Sequence, residues 1–278
     1  MAQAAGSTDT LKEYARGFGG GLIFSLPLLF TMEVWWSGFL ASPPRLLGYL
    51  AAVLLLLLGY NRFAGMHHDS SWLEVLFDSI EELGLGLVTA FVLLWAIGQI
   101  RELTGLQEML GKTVVEGGVV AIGFSVGSAQ LGGGGSEESD NDLGHGASSF
   151  AGQIAIAFCG AMLFAANVAP TEEILVIAYQ STPFRLLCML LISLVIAALI
   201  LVYSDFRSSS RYVGSPGFLE AAGETSIAYV VALVAATSIL WFFGRFDGIS
   251  AAVAFRLILV LAFPAVLGAS AGRLLLQE

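Results

Sequence analysis

The stretch LLFTMEVWW, residues 28 to 36, sets a single carboxylate, Glu33, among apolar neighbours. An ionised side chain at bilayer depth costs about 2.5 to 3.5 kcal/mol on insertion scales, so an acid placed there carries a functional expectation. A second acid stands in a related setting, Glu173 in NVAPTEEILV, preceded by Glu172. Carboxylate oxygens are what hard cations bind, calcium taking about six to eight of them, and rings of Asp and Glu select cations in pores. A third group lies in WLEVLFDSIEELGLG, where Glu74, Asp78, Glu81 and Glu82 are spaced i, i+4, i+7 and i+8. That spacing puts all four on one stripe of a helix near its N-terminus, which reads as an acidic mouth. The simpler alternative is that the positive end of a helix dipole favours acids.

The elements that would position these acids follow from composition. Of 278 residues, 56% are hydrophobic and 12% charged, against roughly 25% charged in a soluble domain, and the mean hydropathy is +0.82. Eight stretches are long and apolar enough to span a bilayer: 18–41, 44–60, 75–99, 112–131, 149–169, 184–203, 225–244 and 249–275. The alternation of a membrane barrel is missing, so the spans are expected to be helices. Residues 1–17 read as an aqueous tail without a signal-peptide pattern, and 132–148 as a Gly-rich acidic linker. Lys and Arg divide almost evenly between the two sides, so orientation is not fixed. A net charge of -10 argues against nucleic acid, which requires clustered basic residues. Cys159 and Cys188 lie in apolar stretches, so neither a disulfide nor a thiolate metal site is indicated.

The chain also matches itself. A shift of 140 lays Thr31, Glu33, Pro43 and Arg45 on Thr171, Glu173, Pro183 and Arg185; a shift of 146 lays Glu74, Asp78, Ser79 and Gly98 on Glu220, Glu224, Thr225 and Gly244. The expected fold is therefore an all-α membrane protein of about eight transmembrane helices, in two parallel four-helix repeats, 18–131 and 149–278. The last helix of each repeat aligns poorly, with only FSVGSA against VLGASAG. A pseudo-twofold axis along the membrane normal would put Glu33 and Glu173 at equal depth, with Asp78 and Glu224 on the approach and Thr31, Thr171, Ser79 and Thr225 adding neutral oxygens. Acids crowded in this way couple cation occupancy to protons. Pro27 and Pro170, near the two acids, are positioned to break the helices there. Glu116 in TVVEGGVV and Arg256 in AAVAFRLILV fall at almost equivalent positions of their repeats and read as an ion pair between helices, structural or gating.

PLLFTMEVWW and APTEEILVIAY resemble an uncharacterised family of bacterial polytopic integral membrane proteins. The resemblance implies the membrane class and a bacterial inner membrane, and no activity comes with it. Enzyme motifs such as H-E-x-x-H, G-x-S-x-G and a phosphate loop are absent from the sequence. With Lys112 placed at a helix start, no span offers a lysine for a retinal Schiff base. His67, His68 and Asp69 read as a solvated turn rather than a metal site. The expectation is a cation channel or transporter, not an enzyme, with no cofactor beyond a bound cation, calcium or monovalent, held by Glu33 and Glu173. Its partners are inorganic cations, protons and membrane lipids, and a homodimer would turn two repeats into a pseudo-fourfold pore. The alternative is a non-transporting scaffold or lipid-interacting protein whose buried acids are structural.

Overall fold

A computed structural model describes residues 7–64, 71–130, 150–208 and 218–275. The linker at 132–148 and the His67–Asp69 turn lie outside the described residues. The chain divides into two compact units, Met1–Ser148 and Ser149–Glu278, and all regular structure among the described residues is helical. The first unit holds α1 (Ser7–Leu29), α2 (Met32–Leu40), α3 (Pro43–Ala64), α4 (Trp72–Ala96) and α5 (Leu106–Gln130). The second holds α6 (Phe150–Val168), α7 (Glu172–Gln180), α8 (Pro183–Ser208), α9 (Phe218–Phe242) and α10 (Ala251–Leu275). Among the described residues, seven helices are long and apolar enough to cross a membrane, and α1 with α2 makes an eighth if the bent pair counts as one span.

Three boundaries differ from the sequence expectation. Helix α1 begins at Ser7, so much of the expected tail is helical. The expected span 18–41 is not one rod: α2 turns from α1 by 87°. Pro27 lies in the last turn of α1, where a missing N–H and a bulky ring weaken the ladder. The Thr31 hydroxyl and amide then occupy the freed carbonyls of Pro27 and Leu28, which stops the helix. Finally, α5 begins six residues before Lys112, which places that lysine inside the helix and 8% exposed. The premise that no span contains a lysine is thereby overturned.

Helix α5 is the centre of its unit: α1, α2, α3 and α4 all pack on it, and α10 stands in the same relation to α6, α7, α8 and α9. Small residues permit this, because lipid provides no hydrophobic drive between helices and close backbone contact must supply the attraction. A Cβ added to Gly20 would lie 2.4 Å from Gly127 Cα and 2.6 Å from Gly123 O. In the second unit a Cβ on Gly160 would lie 2.2 Å from Gly268 O and 3.3 Å from Gly272 Cα. By contrast, α4 and α8 turn Phe77, Val88, Val92, Leu191, Val195 and Leu199 outward, as lipid-facing surfaces do. Trp72 and Trp95 at the two ends of α4 are exposed and lie about 35 Å apart along the helix, close to the span of a bilayer with its interfaces.

The units share details beyond helix order. Gly98 and Gly244 follow α4 and α9 with φ of 76° and 67°, the left-handed conformation that ends helices and favours glycine. The residues after them, Gln99 and Arg245, donate their amides to Leu94 O and Leu240 O at 2.8 and 2.9 Å. Helices α5 and α10 begin at residues 106 and 251, so their register is a shift of 145, which also superposes Gly123 and Gly127 on Gly268 and Gly272, and Ser125 on Ser270. At that register Glu116 matches Leu261, so Glu116 and Arg256 stand five residues apart and are not equivalent.

Candidate functional site

The acidic stripe of α4 separates into two roles. Glu74 closes a capping box with Ser71: the Ser71 amide donates to Glu74 Oε2 at 2.8 Å, and the Glu74 amide donates to Ser71 Oγ at 3.4 Å. Its simpler reading, an acid serving the helix start, is the one observed. Asp78 and Glu81 are exposed, and Tyr14 of α1 donates its hydroxyl to Glu81 Oε1. Glu82 turns inward and is half-buried. Asn61 of α3 donates to Glu82 Oε2 at 2.7 Å and to Ser79 Oγ at 3.1 Å, while Ser125 of α5 donates to Asn61 Oδ1 at 2.6 Å. Asp78 to Glu82 lie about 9 to 15 Å along the helix from Trp72, a depth at which an exposed acid must face water or protein and not hydrocarbon.

Deeper in the same unit, Glu116 is 0% exposed. It is the eleventh residue of the 25-residue α5, close to mid-helix. Among the described residues no donor meets either of its carboxylate oxygens. Tyr49 of α3 is its neighbour, and the Tyr49 hydroxyl donates to Val115 O at 3.1 Å. One turn along α5, Lys112 Nζ donates to Glu108 Oε1 at 2.6 Å and to Gln99 O at 3.3 Å.

The paired acids sit alike. Glu33 lies in the first turn of α2 after N-cap Thr31, and Glu172 and Glu173 lie in the first turn of α7 after N-cap Thr171. Glu33 and Glu173 thus share a helix-start setting, where the dipole favours acids. Glu33 is half-buried and Glu173 exposed; Glu224 is half-buried and Thr225 buried. Arg256 is half-buried. Within either unit, among the described residues, no three His, Cys, Asp or Glu side chains converge to hold a metal ion.

In the second unit the break between α6 and α7 is clamped. Arg245 donates to Ala169 O at 3.2 Å, to Pro170 O and to Thr171 O at 3.3 Å, and meets Glu172 Oε1 at 3.4 Å. The Ala169 and Pro170 carbonyls follow the end of α6 without helical partners, and a cation at a helix C-terminus answers both their lone pairs and the dipole, whereas Thr171 O belongs to the N-cap of α7. The first unit has Gln99 and Met32 at the corresponding positions, so guanidinium and carboxylate are both absent there. Arg245→Gln should lower unfolding stability in detergent by about 1.5 to 3 kcal/mol, the range for hydrogen bonds to a charged group. Arg245→Lys should recover only part of that loss, since an ammonium lacks the planar fork. An Arg245→Gln protein as stable as wild type would show the clamp to be idle.

Asn61, Ser125, Glu108, Lys112, Tyr49 and Arg245 were not among the sequence candidates. Asn61 was hidden because the leucine run at 54 to 58 ended the expected span at 60, one residue short. Lys112 opens one apolar stretch and Arg245 follows another, so in sequence both look like charges at span ends.

The sequence pattern of a family described as "Putative integral membrane protein (DUF2391)" matches residues 13–276. The chain belongs to that family. No curated protein and no solved structure matches the chain. For this DUF2391 member the membrane class thus rests on the family and on its apolar helices together, as the resemblance of PLLFTMEVWW and APTEE implied.

Proposed function

We propose that this protein moves cations across a bacterial inner membrane by way of carboxylates placed inside the bilayer, as a channel or a carrier. The observation that carries the reading is a series of acids at increasing depth within one unit: Asp78 and Glu81 exposed, Glu82 half-buried and hydrogen-bonded, Glu116 fully buried near mid-helix. Buried acids in membrane helices are costly to keep, and ion and proton paths are where they recur. Glu33 and Glu173 supplement the series. Each is the second residue of a nine-residue helix that follows a helix break, and broken helices are a recurrent way to build ion sites near the midplane. Calcium, a monovalent cation and the proton all suit carboxylate oxygens.

The test is reconstitution into liposomes carrying sodium, potassium, calcium and proton reporters. Wild type should move at least one of these above an empty-vesicle control, and Glu33→Gln with Glu173→Gln should reduce that flux about tenfold, because Gln keeps the volume but removes the charge a hard cation needs. Wild-type flux in the double variant would remove both acids from the path. The scaffold reading is favoured by the hydrogen bonds that hold Glu82 and Glu172 to Asn61 and Arg245. It predicts no cation-specific gain in thermal stability, whereas a bound cation stabilises the native state by mass action.

A further inference from the structure

Helix α5 spaces Glu108, Lys112 and Glu116 four residues apart, on one face and one turn from each other. Lys112 is therefore within reach of two carboxylates, and its ammonium is engaged with the outer one, Glu108, at 2.6 Å. The inner one, Glu116, has no donor among the described residues and no exposure. A carboxylate left ionised in such a place is strongly destabilising, so the observed arrangement fits a neutral acid. We propose that Glu116 is a proton-binding site and that Lys112 is its exchangeable counter-ion. With the proton on Glu116, the ammonium pairs with Glu108. When Glu116 gives its proton to water, the ammonium keeps its own three protons and turns one turn along the helix to the new carboxylate.

Helix geometry sets the order of the two states. A Glu four residues before a Lys pairs better than one four residues after it, so Glu108 holds Lys112 until a charge appears on Glu116. Of the other elements packed on α5, α3 brings a second cation, half-buried Arg45, one turn before Tyr49. From α3, Tyr49 donates to Val115 O, and Arg45, Tyr60 and Arg62 are that helix's other ionisable groups. From α4, Gly86 packs on Gly117, and Glu74, Asp78, Glu81 and Glu82 all lie in its first eleven residues. On α1, Gly21 against Val120 sets an antiparallel register that brings uncharged Ser25 near the level of Glu116, with Tyr14 and Arg16 toward the other end. The one titratable residue of α2 is Glu33, in its first turn.

The proposal rests on the transport reading for its purpose, but its test needs no flux. Infrared difference spectra of the full-length protein in lipid nanodiscs at neutral pH report the carbonyl stretch of protonated carboxyl groups. Wild type should show such a band, Glu116→Gln should remove the component due to Glu116 and leave that of other inward-turned acids such as Glu82, and Lys112→Gln should keep the whole band. Glu108→Gln frees the ammonium to pair with Glu116 and should cut the Glu116 component of the band about twofold or more, as a shift between two competing pairs requires. An undiminished band in Glu116→Gln or in Glu108→Gln overturns the assignment. Should Glu116→Gln fail to fold, Glu108→Gln in the first turn of α5 carries the test. A band behaving as stated in a protein that moves no cation refutes the transport reading and leaves the proton site standing.

Discussion

Cation flux through Glu116→Gln should fall about tenfold or more below wild type while the protein stays folded, because a side chain of equal volume loses its exchangeable charge at the most buried acid of the proposed path. Gln at that position is neutral at every pH, so it cannot alternate between two charge states and Lys112 stays with Glu108. Asp78→Asn is expected to differ in kind. Asp78 is exposed, so on the proposed transport reading its part would be to concentrate cations at the mouth. Its loss should reduce flux by only about twofold to threefold, and chiefly at low salt, since ions screen such focusing within about 10 Å at 0.1 M. Liposome flux at two ionic strengths separates the two behaviours. Wild-type flux in Glu116→Gln would take Glu116 out of the path, and a salt-independent loss in Asp78→Asn would make that residue a direct ligand.

The features that sequence made legible are those written in apolar length and repetition. Helix type, the approximate number of spans, breaks near Pro27 and Pro170, and the correspondence of Glu33 with Glu173 all depend on local pattern. Features that depend on a partner elsewhere in the chain were not legible. Asn61 follows a leucine run and looks like the end of a span, until Ser125 and Glu82, 64 and 21 residues away, give its amide both an acceptor and a donor. Lys112 looks like a boundary because a lone ammonium in a span is costly; Glu108 one turn before it removes that objection. Arg245 counted toward orientation as a loop charge, yet it is bound to the carbonyls at the α6–α7 break. The register of α5 with α10 escaped for another reason. Only glycines and Ser125/Ser270 carry it, and their meaning lies in contacts with α1 and α6 that sequence alone does not display.

Those glycines yield the second large effect. Replacing Gly by Ala inside a helix normally stabilises it by about 0.8 to 1 kcal/mol, since Ala has the better intrinsic propensity. Gly84 and Gly223 have nothing within 4 Å of an added Cβ, so Gly84→Ala and Gly223→Ala should follow that rule. Gly20→Ala and Gly160→Ala should reverse it. Their added methyl groups would lie 2.6 Å from Gly123 O and 2.2 Å from Gly268 O, too close for any rotamer change to relieve, because both neighbours are backbone. The helices must separate, which loses their close contact, and overpacking of this kind costs about 1 to 3 kcal/mol even before the propensity gain is subtracted. Unfolding of the purified protein in detergent or mixed micelles measures all four variants on one scale. If the two units use the same contact, Gly20→Ala and Gly160→Ala should lose similar amounts. A stabilising Gly160→Ala would mean that α6 and α10 do not meet backbone to backbone. A loss at Gly160 with none at Gly20 would mean that the shared glycine pattern supports only the second unit.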